Sequence, residues 1–129
     1  MTQLKKDIRN RKDIELIVDA FYDKIKVDQT LSHFFEHISY RNWVKHKELM
    51  CNFWENILFQ KGQYEGNPMQ KHKEINEKTP MLSHHFQQWI TLFVSTIDEH
   101  FEGRVADSAK ARAVSVAEVM NNRLNKPDA

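Results

Sequence analysis

The sequence predicts an all-α chain, and three observations carry that prediction. Apolar residues recur at three- and four-residue steps along most of the chain, and no stretch alternates with period two. Helix breakers are scarce: 129 residues hold only three Gly and three Pro, beside eight Phe, three Trp and three Tyr. A chain of this length builds one hydrophobic core. A single domain is therefore expected over 1–129, with 1–12 as a loosely ordered extension and 125–129 as a loose tail. Many bulky aromatics and few breakers point to long helices around a wide apolar space, a description that an ordinary packed core satisfies equally well.

The first helix is read from Ile14, Ile17, Val18, Phe21, Tyr22 and Ile25. Asn10 is placed to cap it, and Asp13 complements the helix dipole in the first turn. Tyr22 falls on the apolar face, where its hydroxyl needs a partner. From Asp28 to Tyr40 the pattern becomes irregular, as for a short helix and a turn. A strong helical stretch follows, with Trp43, His46, Met50, Phe53, Trp54 and Ile57. At about 100° per residue, Met50, Phe53 and Ile57 lie within roughly 40° of His46, while Lys45, Lys47, Glu48 and Glu55 point elsewhere.

Gly62 to Asn67 reads as a loop, and Pro68 suits the first position of a short helix carrying Met69, His72 and Ile75 on one side. Thr79-Pro80 repeats the cap-then-proline start signal. A long amphipathic helix then runs through Phe86, Trp89, Ile90, Phe93, Val94, Ile97 and Phe101, and Gly103 ends it. The last helix presents small residues on one face, Ala106, Ala109, Ala113 and Ala117, with Met120 and Leu124 beyond them.

Charge and composition narrow the function. Nineteen Lys and Arg against eighteen Asp and Glu give a formal charge of +1. The basic N-terminal cluster of Lys5, Lys6, Arg9, Arg11 and Lys12 is broken by acidic residues, so no sustained nucleic-acid surface is present. One cysteine, Cys51, allows no internal disulfide and fits a reducing compartment. No apolar run is long enough for a signal peptide or a membrane span. The expectation is a cytoplasmic chain acting without nucleic acid or membrane. No sustained heptad seam argues for a tight dimer, so a monomer or weak dimer is expected.

Chemistry-bearing candidates reduce to histidines. His33, His37 and His100 lie among polar neighbours near helix ends or turns, where a surface role is expected. His84 and His85 are adjacent, hence on different faces, and form no ready chelate. His46 and His72 sit on apolar faces of successive helices, as core histidines or as ligands. There are no CxxC pairs and no HExxH for zinc, and no Glu-x-x-His for a di-iron carboxylate bundle. The phosphate-binding and nucleophile-elbow motifs are absent too. Cys51 reads as a packing residue. Haem is the prosthetic group that uses one histidine and a large apolar cleft.

With those positions in place, the sequence resembles the truncated haemoglobins, and within them group III. The resemblance is carried by Phe21-Tyr22 with Lys24-Ile25, by Trp43 through Leu58, by Gly62 to Gly66 with Pro68 to His72, and by His85-Phe86-Gln87-Gln88-Trp89. It covers the chain from about Ile14 to about Leu124. The glycine pairs of groups I and II are missing, which favours group III.

The resemblance implies a two-over-two helical sandwich with haem b between the helices. His72 matches the proximal iron ligand, Tyr22 and His46 the distal tyrosine and histidine, and Trp89 the tryptophan lining the ligand site. Phe21, Phe35, Met50, Phe53, Trp54 and Met69 match apolar pocket positions, and Lys71 or the Lys45/Lys47 pair would reach the propionates. Implied ligands are O2, NO, CO or small anions, with a reductase as partner. Donors from Tyr22 and Trp89 would each contribute about 1.5–3 kcal/mol to holding a charged ligand. That favours chemistry on the gas, such as NO dioxygenation or peroxide turnover, over oxygen delivery. Alternatives are a haem-based sensor or redox partner acting through a separate protein, and an apo helical interaction module.

Overall fold

The structure, a computed structural model, describes residues 5–35, 40–60 and 81–125; the side chains of residues 35, 40, 41, 124 and 125 are outside that description. Among the described residues there are four α-helices and no strand: α1 (Arg11–Val27), α2 (Tyr40–Phe59), α3 (Ser83–His100) and α4 (Arg104–Asn125), with a short 3-10 helix at Ser32–Phe35. Helix α1 packs on α2 and on α3, α3 pairs with α4, and α2 reaches α4 at a smaller contact. Two helix pairs thus lie over one another, the expected two-over-two sandwich. No helix among the described residues is long and apolar enough to cross a membrane.

Helix α1 forms as its sequence pattern dictates. The Asn10 side chain accepts from the Asp13 backbone N–H at 3.2 Å, satisfying a donor that the first turn leaves open. Ile14, Ile17, Val18, Phe21, Tyr22 and Ile25 are all buried. The helix stops at Asp28, whose extended backbone turns the chain and whose carboxylate accepts from Thr30 and Leu31 N–H, both at 3.0 Å. That Asx turn starts the 3-10 helix. Arg11 ties α1 to α2 through Asn52 Oδ1 at 2.7 Å and Glu55 Oε1 at 3.2 Å.

Small side chains set the α3–α4 contact. Ala106, Ala109, Ala113 and Ala117 are buried along one face of α4, which lets the helices approach closely. Thr96, fully buried on α3, spends its hydroxyl on the Leu92 carbonyl at 2.7 Å.

The chain start departs from the expected loose extension. Arg11 and Lys12 already belong to α1, and Ile8 is only 2% exposed. Asp7 Oδ2 accepts from Val105 N–H at 2.9 Å and Oδ1 from Ala106 N–H at 2.8 Å, capping α4 from the far end of the sequence. Burial raises the Asp7 pKa, but its backbone N–H bonds outweigh that and hold it below the ordinary carboxylate value. Glu102 N–H donates to the Lys6 carbonyl at 3.0 Å, adding a backbone tie. Gly103 makes the approach possible. Its φ is +145°, and a Cβ there would stand 2.5 Å from Asp7 Cγ.

The start of α3 also differs from expectation. Thr79 and Pro80 lie outside the described residues, and α3 begins at Ser83 with Leu82 as its N-cap. Leucine has no side-chain acceptor, so the exchange runs through His85. Its Nδ1 accepts from Leu82 N–H at 2.8 Å, and its own N–H donates to the Leu82 carbonyl at 2.9 Å.

Candidate functional site

The elements line a cavity of about 100 Å³ between α1, the 3-10 helix, α2, α3 and α4. Its wall is almost wholly apolar: Ile25, Leu31, Phe34, Met50, Phe53, Trp54, Met81, Phe86, Val116, Ala117 and Met120. The polar atoms come from Tyr22, His46, His85 and Trp89.

Tyr22 and His46 are brought together. The Tyr22 hydroxyl lies 2.8 Å from His46 Nε2, across the α1–α2 contact. The phenol is 5% exposed, and burial pushes its pKa well above the usual phenol range, with the Cys51 charge adding to the rise. Tyr22 therefore keeps its proton at neutral pH and remains a donor. Trp43 backs the pair, edge-on to Tyr22 at 4.8 Å and 6.0 Å from the His46 ring, with Lys26 Nζ 4.6 Å over the indole. Such ring contacts and cation–π pairs contribute roughly 0.5–1.5 kcal/mol each beyond burial.

Trp89 reaches the same cavity from α3. It stacks on Phe93 at 5.5 Å and 7°, and Phe93 stacks on Trp54 at 4.8 Å and 18°. Phe21 meets Trp89 edge-on at 5.5 Å and Phe93 at 5.3 Å. These rings fix the plane of the indole from two directions.

Four of the expected pocket residues line the cavity with Tyr22: His46, Met50, Phe53 and Trp54. Phe21 does not line it. Adjacent to Tyr22, it points about 100° away around the helix, one layer behind the wall, against Trp89 and Phe93. Phe35 ends the 3-10 helix, with its side chain outside the described ones. His72 and Met69 lie outside the described residues altogether, as does Lys71. Lys47 is tied to Asp19 of α1 at 2.7 Å, which holds its ammonium on the outer face of α2.

His85 is the polar wall residue that sequence reasoning missed. It is 9% exposed and stands edge-on to Phe34 at 4.9 Å, with the His33 ring at 5.5 Å. His33, expected at the surface, is accordingly half-buried. Burial, helped by His84 and His33, lowers the His85 pKa and keeps the ring neutral. The available signal was its position four residues before Trp89, on the same helix face. Cys51 is fully buried, and burial pushes its thiol up to about 11, so it packs rather than reacts.

Helices crossing two over two around an aromatic-walled cavity, with a phenol–imidazole pair in its wall, give the chain a fold of the two-over-two globin kind. No protein-family model matches the chain. It is 27% identical over 126 residues to the group 3 truncated hemoglobin ctb of Campylobacter jejuni, covering 95% of this chain and 97% of that protein. The crystal structure of a group III truncated hemoglobin from Campylobacter jejuni superposes with a TM-score of 0.85 at 27% identity, over 98% of this chain and 99% of that one. The 2/2 hemoglobin from Synechococcus sp. PCC 7002, solved in the cyanomet state with covalently attached heme, gives a TM-score of 0.76 at 20% identity, over 89% and 91%. That second likeness speaks to the fold alone. In sequence and in fold the chain is thus similar to group III truncated haemoglobins along nearly its whole length.

Proposed function

We propose that the chain is a haem b protein that binds O2, NO, CO or small anions, and that it works on the gas, by NO dioxygenation or peroxide turnover, instead of delivering O2. The observation that carries this reading is the Tyr22–His46 pair, 2.8 Å apart in the wall of an otherwise apolar cavity that Trp89 also lines.

The cavity suits the group. Its apolar wall fits a flat, largely hydrophobic macrocycle, and Tyr22 and Trp89 bring donor groups to it, as a ligand carrying partial negative charge requires. Bound haem supplies an iron at which a diatomic ligand is held and made reactive. His72 would hold that iron; this rests on its place in the order of motifs shared with the family.

The described side chains have separable roles. Tyr22 has one hydroxyl proton and two ways to use it. It can donate to His46 Nε2, or it can accept from a protonated Nε2 and turn its own proton to the ligand. Trp89, locked by Phe93 and Phe21, brings an indole N–H from a second direction. Each donor to a charged group contributes about 1.5–3 kcal/mol, or about 10- to 150-fold in ligand release. His46 acts as a gate: a ligand entering past it must first break its bond to Tyr22. Met50, Phe53 and Trp54 keep water out, which strengthens those hydrogen bonds. Turnover needs electrons, so a reductase in the cytoplasm is the partner class proposed.

Mixing the reduced, O2-equilibrated protein with NO in a stopped-flow instrument tests the reading. Stoichiometric nitrate and a ferric product are expected, or else rapid peroxide consumption by the ferric protein. A protein inert to both NO and peroxide would reduce the proposal to gas binding alone.

A further inference from the structure

His85 is a donor held in place with no acceptor for its Nε2–H among the described residues. Its Nδ1 is occupied by the Leu82 N–H at 2.8 Å, so the neutral ring carries its proton on Nε2. The side chain is 9% exposed, and Nε2 has no hydrogen-bond partner among the described residues. No fully enclosed side-chain nitrogen or oxygen is left unpaired in the described structure. Nε2 is therefore not sealed inside the described structure, and the ring it belongs to lines the cavity.

The surroundings favour an anion there. His85 sits in the first turn of α3, whose aligned peptide dipoles present positive potential at that end. Its polar ring neighbours are imidazoles, His84 at 4.0 Å and His33 at 5.5 Å. The Asp28 carboxylate, which meets α3 at Gln88 Nε2 at 2.8 Å, is committed there and to Thr30 and Leu31 N–H. Among the described residues these histidines form no cluster able to hold a metal ion, so the fixed N–H serves a hydrogen-bond acceptor.

We propose that His85 Nε2–H is a carboxylate-binding position in the cavity wall, distinct from the Tyr22–His46 pair. The carboxylate comes from the side chain of the bound prosthetic group or from a small free carboxylate. The first source rests on the haem reading of the cavity; the second does not.

His85→Asn separates the two duties of the ring, because asparagine Oδ1 can still accept from Leu82 N–H while the Nε2 donor is lost. Loss of haemin from the ferric protein to excess apomyoglobin is followed for wild type and H85N, with haemin and with haemin dimethyl ester. Acetate is titrated in parallel against the imidazole 15N shifts of His85, read on the purified protein with or without haem. A prosthetic-group carboxylate predicts haemin loss about tenfold or more faster from H85N, with no such difference for the diester. A free carboxylate predicts saturable acetate shifts in wild type and equal haemin loss from both proteins. Equal haemin loss together with unresponsive 15N shifts overturns the proposal. Failure of wild type to take up haemin would instead overturn the haem reading, leaving the acetate titration to decide the role of His85.

Discussion

The Tyr22 hydroxyl and His46 Nε2 stand 2.8 Å apart, joining the buried face of α1 to the apolar stripe of α2. Both side chains bring polar atoms to an otherwise apolar cavity wall. Phenylalanine and leucine would fill the same space without the burden of a buried hydrogen bond. The pair lines the cavity, and the proposed function rests on it.

Tyr22→Phe keeps the ring against Trp43 and removes the donor. O2 should leave the reduced protein about 10- to 150-fold faster, measured by stopped-flow displacement with CO. An unchanged release rate would remove Tyr22 from the account of ligand retention.

Trp89→Phe keeps a ring to stack on Phe93 but has no indole N–H. Release should again accelerate by about tenfold or more, and the double variant with Tyr22→Phe shows whether the donors are independent. If they share one ligand atom, the combined effect falls short of the product of the single effects.

His46→Leu removes the proposed gate together with its hydrogen bond to the Tyr22 hydroxyl. CO rebinding after flash photolysis should speed up several-fold, while O2 release slows or stays the same. Faster release from this variant would make His46 a donor in its own right.

Asp7 supplies a prediction on stability. Asp7→Ala removes the cap of α4 and should cost about 1–2 kcal/mol in urea denaturation. The folded pKa of Asp7 lies below the ordinary 3.8, so its contribution is fully present above that value and is lost as pH falls through the lowered folded pKa. The stability gap between wild type and Asp7→Asn should therefore be constant from pH 7 to about 5 and shrink in acid. Gly103→Ala should cost at least as much as Asp7→Ala, because its φ of +145° is foreign to L-residues and the methyl meets Asp7 Cγ at 2.5 Å.

The helices were legible because each carries its own periodic apolar face; Asn10 and Gly103 also mark an end by chemistry local to the chain. The cavity residues Met50, Phe53 and Trp54 were legible for the same reason, standing near His46 on one helix face. What the sequence could not reveal depends on partners distant along the chain. Asp7 looked like part of a charged leader, since its role appears only when Val105 and Ala106 are folded against it. Phe21 and Tyr22 are both apolar-face residues by periodicity, and only the position of α3 decides which one meets the cavity. His85 was set aside with its neighbour as forming no ready chelate, and only the 3-10 helix, with Phe34 and His33 against its ring, shows which of the two is covered.

The central claim is that the cavity holds haem, and titration of the purified chain with haemin tests it most directly. The account predicts a Soret band that rises linearly and breaks at one haemin per chain, and a His72→Ala variant that binds more weakly with an altered spectrum. A featureless, non-saturating absorbance from the wild-type chain would contradict it.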